Sequence, residues 1–556
     1  MTLKEKTKMK RLVKSLSSVV AVSVALGLGA CKPSGGESPF TVGGKFATDG
    51  TILGGFGADE LDELMNPSGE ASTRTGGAWD EPLVFDLGVA RPATEGATTA
   101  DAGTSLTVGS TTELSGSFLA GWTNNAADNN VRNLMWDAGT VVYTEADSYE
   151  YNPIVLEKVE IESADNFDRT YTFTLRQDLV YSISAQGSST VTTQAITAKD
   201  YVFSILFNSS ADLVEASRNT AGTATNRATT GIDLVGYDVF NAGVGTTDPS
   251  SDGVPFSGVR LLGDYEFSIT VKGDMYPYFY ERTLAAVSPQ PINLFLGDDA
   301  DVADDGDGAY IDGITKAAVI ANVDNTGAKT GQRWFPTFYT GPYMLDSYDD
   351  TAKEAVLKAN PNYKGKFKKT ADGEATIFPK IEEVILVKTV AATEMADLDT
   401  GRVGLLPQIN GGDTINEGKG LDDVAYHVFE RNGYGFIHFH SDIGPTQYIE
   451  VRQAIAHLLD RNAFADSFTG GYGGVVHGPY GLAQWMYQAR EDELQAKLNP
   501  YSKNVTTARE LLIAGGWVLD AEGNAYSGEG VRHKLMKDGE TLMPLELEWL
   551  STPDNP

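Results

Sequence analysis

The sequence predicts an α/β protein on three observations. Tyr171, Phe173 and Leu175 alternate with Thr172, Thr174 and Arg176, the two-residue period of a strand with one apolar face. Thr197 and Asp200 then stand three apart at the head of an apolar run reaching Phe207, the reciprocal cap of a helix start. Later, Ile381 to Val387 reads as a buried strand, and Val451, Ala454, Ile455, Leu458 and Leu459 recur at helical spacing.

From the N-terminus, the first feature is a charged start of Lys4, Lys6, Lys8, Lys10, Arg11 and Lys14. An apolar segment from about Leu16 to Leu28 follows, ending in the small residues Gly29 and Ala30. This is the pattern of a secretory signal over 1–30. The apolar run falls short of the ~20 residues that a bilayer-spanning helix needs. Leu28-Gly29-Ala30-Cys31 resembles the lipobox of bacterial lipoproteins, in which the cysteine receives a diacylglycerol and becomes the new N-terminus. Cys31 is the only cysteine, so there is no internal disulfide and one candidate lipidation site. An ordinary signal peptide with an incidental cysteine is the competing reading.

Residues 31–103 are rich in Gly, Thr, Ser, Ala and acids without sustained periodicity, which predicts a lipidated N-terminus and flexible spacer. One short helix is expected at Ala58 to Met65. A spacer of that length has a root-mean-square span of about 45 Å. Order is expected from the alternating Ser105-Leu106-Thr107-Val108-Gly109. A loop from Ser182 to Ala195 separates the strand at 170–176 from the capped helix. Thr340-Gly341-Pro342-Tyr343 and Asn360-Pro361-Asn362-Tyr363 then mark turns around a strand near Ala355 to Leu357. Asp460-Arg461 closes the helix begun near Val451. A later helix starts at Asn504, carries Val505, Ala508, Leu511 and Leu512 on one face, and stops at Gly515-Gly516, glycines suited to a left-handed cap.

Hydrophobic residues make up 41% of 556, enough for a large core of two to four domains or subdomains. The formal charge of −33 becomes about −38 once the signal, with six basic residues and Glu5, is removed. Such an acidic surface repels phosphate, and no basic stripe with interleaved aromatics offsets it, so nucleic acid is not an expected partner. The acidity reads as a solvated surface that keeps an exported protein soluble.

The serial motifs resemble the extracellular solute-binding proteins of the oligopeptide and dipeptide class, family 5, the lipoprotein components of ABC importers. The resemblance rests on Thr170-Tyr171-Thr172-Phe173-Thr174-Leu175-Arg176, Ile196-Thr197-Ala198-Lys199-Asp200-Tyr201-Val202-Phe203-Ser204, and Thr340-Gly341-Pro342-Tyr343 with Asn360-Pro361-Asn362-Tyr363. It continues through Val451-Arg452-Gln453-Ala454-Ile455 with Asp460-Arg461, and Ala508-Arg509-Glu510-Leu511-Leu512 before Gly515. It covers about 104 to 556. Gly404 departs from it, standing where family members usually have an acid, which puts one structural contact in doubt.

The resemblance implies a two-lobed, periplasmic-binding-protein-like α/β fold of type II with an extra subdomain. The first lobe falls at 104–140 and 256–432, the added subdomain at 141–255, and the start of the second lobe at 433–556. That second lobe is expected to be incomplete, with roughly 130 to 170 residues missing after the strand Leu545 to Leu550. The implied function is capture of peptides between two lobes and delivery to permease subunits, without catalysis. Implied too are a monomer tethered through Cys31 and a location on the outer face of the cytoplasmic membrane, or the periplasm or outer membrane of a double-membrane bacterium. No cofactor is expected.

For ligand contacts the resemblance nominates Trp485 and Tyr480 in the loop Gly478 to Tyr487, Asp554 just after the last strand as the acceptor of a ligand ammonium, and Trp122 after the first strand. Core packing competes for the aromatics, and a frayed turn competes for Asp554. His438 and His440 would share one face of a strand but have no third ligand, so no metal site is assigned. The acids Asp298, Asp299, Asp301, Asp304, Asp305, Asp307 and Asp312 do not match the EF-hand spacing, leaving a looser calcium loop against a hydrated insertion. Gly470-Gly471-Tyr472-Gly473-Gly474 resembles a phosphate loop only superficially, since Val476 replaces a third glycine. Other solutes, such as an oligosaccharide or a nickel complex, and a signalling-peptide receptor are alternative roles. A lipid-anchored hydrolase is a more remote one: the chain has no Gly-x-Ser-x-Gly elbow, no His-Glu-x-x-His helix and no second thiol.

Overall fold

The structure, a computed structural model, describes residues 81–87, 100–143, 149–211, 213–214, 230–243, 254–273, 281–297, 300–313, 321–323, 331–365, 367–369, 375–377, 379–409, 411–427 and 433–550. Among them the chain divides into two compact units, one ending at Gln408 and the other starting at Ile409. The architecture is mixed α/β, as expected. The signal segment, Cys31 and the helix expected at Ala58 to Met65 lie outside the described residues.

The larger unit holds a five-stranded antiparallel sheet, in the order Leu83–Asp86, Leu156–Ser163, Arg169–Leu175, Glu266–Val271, Val259–Gly263. The alternation that predicted the third strand sends Tyr171, Phe173 and Leu175 into the core. Phe173 pairs in register with Phe267 and stacks on it at 5.0 Å. The Ala198–Ser209 helix covers this face, with Tyr201 stacked on Phe267 at 5.4 Å, and is buried almost all round rather than on one stripe. Its outer side is covered in turn by Phe295 of Ile292–Leu296, which meets both Phe203 and Phe207.

Two expectations are corrected here. Residues 31–103 are not spacer throughout: Leu83–Asp86 is an edge strand paired to Leu156–Ser163, with Phe85 packed 5.1 Å from Tyr151. Four residues are too few to register as a period within a polar stretch, and tertiary pairing supplies the rest. The region 182–195 is not a plain loop but a hairpin, Val180–Ile183 with Thr192–Ala195, joined by Phe338–Tyr339. Its Ser and Thr residues lack the apolar alternation by which strands are recognised. The sheet also draws Val259–Gly263 and Glu266–Val271 beside strands of the segment 141–255.

A second sheet in this unit runs Tyr343–Asp349, Glu354–Ala359, Ile381–Lys388, Asp101–Ser110. Its last pair is parallel, with Val384 opposite Leu106 and Leu386 opposite Val108. The Ala126–Met135 helix packs here through Val131 and Met135 against Tyr339, Tyr343 and Leu345. Where Gly404 departs from the resemblance, backbone makes the contact: its amide donates to Thr107 at 2.8 Å and Leu405 bridges Val108.

The smaller unit is mainly helical. Val505–Ala514 lies on Ile449–Leu458, with Val451, Ala454 and Ala508 buried between them and Trp517 closing the end edge-on to Tyr448. Asn504 caps the later helix by accepting from the Thr507 amide at 3.0 Å. Leu458 and Leu459, expected on the buried face, are exposed because the helix ends at Leu458 and the chain turns extended at Leu459. Asp460 does not merely close that helix; it N-caps the next, Arg461–Thr469, accepting from the Ala463 amide at 3.1 Å. The left-handed glycine expected after Ala514 is Gly516 rather than Gly515. His438 and His440 lie in a stretch without regular secondary structure, so the strand expected there is absent among the described residues.

Candidate functional site

Tyr480 lies in the smaller unit, on the loop joining Arg461–Thr469 to Trp485–Lys497. This loop opens at Gly470, which takes φ +59° and donates to the Asp466 carbonyl at 2.9 Å. A Cβ on Gly412 would lie 2.3 Å from the Cα of Gly470, so the Gly412–Lys419 helix starts where only glycine backbone fits. The glycine run therefore ends a helix, whereas a phosphate loop opens one. Beyond it the Tyr472 hydroxyl donates to Asn416 at 2.8 Å and accepts from Lys419 at 2.6 Å.

Arg461 fixes the middle of the loop. One guanidinium nitrogen donates to the Val476 carbonyl at 3.2 Å, and the other to the Pro500 carbonyl beyond the next helix. Burial lowers the pKa of His477 beside it, and the Arg461 charge adds to that effect. The Tyr480 ring stacks on Tyr487 at 5.0 Å, while the Tyr487 hydroxyl donates to Glu491 at 3.1 Å. The Tyr480 hydroxyl is itself buried and has no hydrogen-bond partner among the described residues. Burial, with a smaller effect from Tyr487, pushes its pKa up. Leaving such a hydroxyl unbonded costs about 1–3 kcal/mol, which a ligand acceptor would recover. Trp485 opens the following helix, but its side chain lies outside the described residues, as does Asp554.

Trp122 belongs to the larger unit and to its core, 1% exposed and 6.5 Å from Phe295. The chain leading to it is held by a buried pair one turn apart. Asp128 accepts from the amides of Ser115 and Gly116 at 2.9 and 3.2 Å, and Arg132 donates to the Ser117 and Thr123 carbonyls at 2.7 and 3.0 Å. Burial raises the Asp128 pKa against those hydrogen bonds. Sequence reasoning missed this pair, although Asn125 capping the Asp128 amide is a readable helix start.

The metal alternatives meet a different arrangement. Asp304 is taken up by Arg260 in two bonds of 2.9 Å, and Asp305 accepts from the Asp307 and Gly308 amides. Asp298 and Asp299 lie outside the described residues. His440 bonds Asp442 at 2.9 Å. Among the described residues no three His, Cys, Asp or Glu side chains group to hold a metal ion, and no helix is long and apolar enough to cross a membrane.

No curated protein sequence matches the chain. Among solved structures, the oligopeptide-binding protein AppA of Bacillus subtilis, bound to a nonapeptide, is 17% identical, with 78% of this chain and 67% of that one covered and a TM-score of 0.49. DppA of Helicobacter pylori, a periplasmic binding protein bound to the peptide STSA, is 15% identical over 74% of this chain and 66% of that one, with a TM-score of 0.47. Lactococcal OppA, complexed with an endogenous peptide, is 17% identical over 79% and 70%, with a TM-score of 0.48. The chain thus spans about two thirds of the length of these proteins. The sequence profile described as "Bacterial extracellular solute-binding proteins, family 5 Middle" matches residues 150–545. The chain belongs to the bacterial extracellular solute-binding proteins of family 5.

Proposed function

We propose that this chain is the lipid-anchored peptide receptor of an ABC importer, capturing peptides outside the cytoplasm and delivering them to permease subunits. The observation that carries the reading is the family match over 150–545, which follows a signal ending in Leu28-Gly29-Ala30-Cys31. In this reading Cys31 carries the lipid and the body makes or breaks no bond. Ligand bridges two lobes, favours their closed state, and the closed state is what the permease recognises. An extended peptide suits such a receptor because its main chain bonds to strand edges whatever its side chains are. Tyr480 and Trp485 would then face the ligand and Asp554 would take its ammonium, while Trp122, nominated as a ligand contact, packs in the core of the larger unit.

Incubating the full-length protein with a peptide mixture, then identifying what copurifies, tests this directly. Intact peptides and a raised thermal midpoint support peptide capture. Cleaved peptides point to a hydrolase, and a midpoint raised only by oligosaccharides or nickel complexes assigns another solute.

A further inference from the structure

Arg461 stands where three parts of the smaller unit meet: the head of Arg461–Thr469, the loop 470–484 and the turn 498–504. Its guanidinium donates to the Val476 carbonyl at 3.2 Å and to the Pro500 carbonyl, and the nitrogen on Pro500 also reaches His477 Nδ1 at 3.4 Å. Arginine carries donors only, so Nδ1 is the unprotonated ring nitrogen and the neutral imidazole has its proton on Nε2. On the turn, Tyr501 takes φ +44°, a left-handed backbone that a residue with a side chain keeps only where its neighbours hold it. Those neighbours are Arg461, at the Pro500 carbonyl, and Asn499, which accepts from the Tyr501 amide at 2.9 Å. The surrounding titratable groups are engaged elsewhere. Asp460 accepts from the Ala463 amide and pairs with Lys503 at 3.4 Å. The Tyr501 hydroxyl accepts from Gln453 at 3.3 Å, and His457 donates through Nδ1 to the Ser502 carbonyl at 2.9 Å. Toward the end of the loop Tyr480 stacks on Tyr487, which donates to Glu491.

We propose that Arg461 is a positioning residue for the loop that carries Tyr480, and that His477 is its proton-sensitive contact. While His477 is neutral, the guanidinium holds loop and turn together. A proton taken from solvent at Nδ1 removes the acceptor, sets a second cation against Arg461 and lets the loop go. The consequence for peptide capture rests on the reading that Tyr480 faces the ligand. In line with this geometry, burial and then the Arg461 charge hold the His477 pKa below 6.5. Because the folded value lies below the ordinary one, the stability this contact adds is present above about 6.5 and is lost as pH falls through the lower folded value.

Imidazole 15N NMR of the full chain without peptide, with the His477 signal assigned by its loss in His477→Asn, tests the contact independently of any transport role. The neutral ring should carry its proton on Nε2, and its titration midpoint should move up in Arg461→Gln. A proton on Nδ1 of the neutral ring, or a midpoint that Arg461→Gln leaves in place, overturns the proposal. If Arg461→Gln does not fold, hydrogen exchange of the 472–480 amides, corrected for intrinsic rates, decides. Exchange should be about threefold or more faster at pH 5 than at pH 7.5 in wild type, the loss of roughly one hydrogen bond, and should stay level in His477→Asn, whose side-chain oxygen does not titrate. Equal protection at both pH values in wild type overturns the proposal. Peptide affinity in calorimetric titration should fall by about threefold or more over the same range. An affinity that holds while the loop loosens upholds the Arg461–His477 contact and removes this loop from the peptide site, so the two readings fail separately.

Discussion

The amide of Gly341 donates to the carbonyl of Met135 at 2.8 Å, and a Cβ at position 341 would sit 2.5 Å from Met135 backbone. The turn motifs of the sequence thereby acquire a physical reason. Asn360 is buried beside this contact, donating to the Gly341 carbonyl at 2.8 Å and accepting from the Ser182 hydroxyl at 2.6 Å. Tyr363 completes the knot by donating to Asp137.

Gly341→Ala should therefore destabilise the larger unit, since backbone rather than a movable side chain must give way. We expect a loss of about 1–3 kcal/mol, the usual cost of overpacking. Urea unfolding followed by circular dichroism measures it, and an unchanged midpoint would refute the steric argument.

Asp304 supports a pH prediction of its own. Burial alone would raise its pKa, but hydrogen bonds from Arg260, Gly306 and Leu261 outweigh burial and hold it below 3.8. Its contribution is then present above about 3.8 and lost as pH falls through the lower folded value. Asp304→Asn should cost about 1–2 kcal/mol at neutral pH, discounted because Arg260 is a third exposed. Denaturation of the variant and wild type at pH 7 and pH 3 should show that gap narrowing in acid.

Tyr480→Phe removes the unpartnered buried hydroxyl and keeps the ring stacked on Tyr487. The free protein should be stabilised by up to about 1 kcal/mol. If the hydroxyl bonds the ligand, peptide affinity should fall about fivefold or more in calorimetric titration, the loss of roughly one hydrogen bond. Undiminished affinity would remove Tyr480 from the site.

Cys31→Ser should release the protein from the membrane fraction while leaving peptide affinity unchanged. Fractionation followed by immunoblotting checks the first part, and titration of the released protein checks the second. Retention in the membrane would show that something other than a lipid at Cys31 holds it.

Local patterns were legible where apolar residues kept a period within a single element, as at 171–175, and less so where the element ended early, as at Leu458 and Leu459. Tyr171, Phe173 and Leu175 faced inward as their alternation required, and the Thr197–Asp200 cap formed because its two residues are near in sequence. The hairpin at 180–195, though its strands pair locally, lacks the apolar alternation by which strands are read, and the strand at 83–86 was not legible because its partner at 156–163 lies far along the chain. The same distance hid the surroundings of Trp122, whose burial depends on Phe295. Of the nominated ligand residues, Trp122 proved to be core, and Tyr480 gained a buried hydroxyl without a hydrogen-bond partner among the described residues.

The amino-acid sequence by itself determined the α/β class and the motif order that identifies the family, because each depends on local spacing. Only the tertiary structure decided which polar groups are desolvated. Among the described residues Asp200 is buried at the head of its helix, Asp304 is bonded by Arg260, and the Tyr480 hydroxyl is buried without a hydrogen-bond partner. Those outcomes are set by what the fold packs around each group, and a carboxylate or hydroxyl carries no sign of that in its own neighbourhood of sequence.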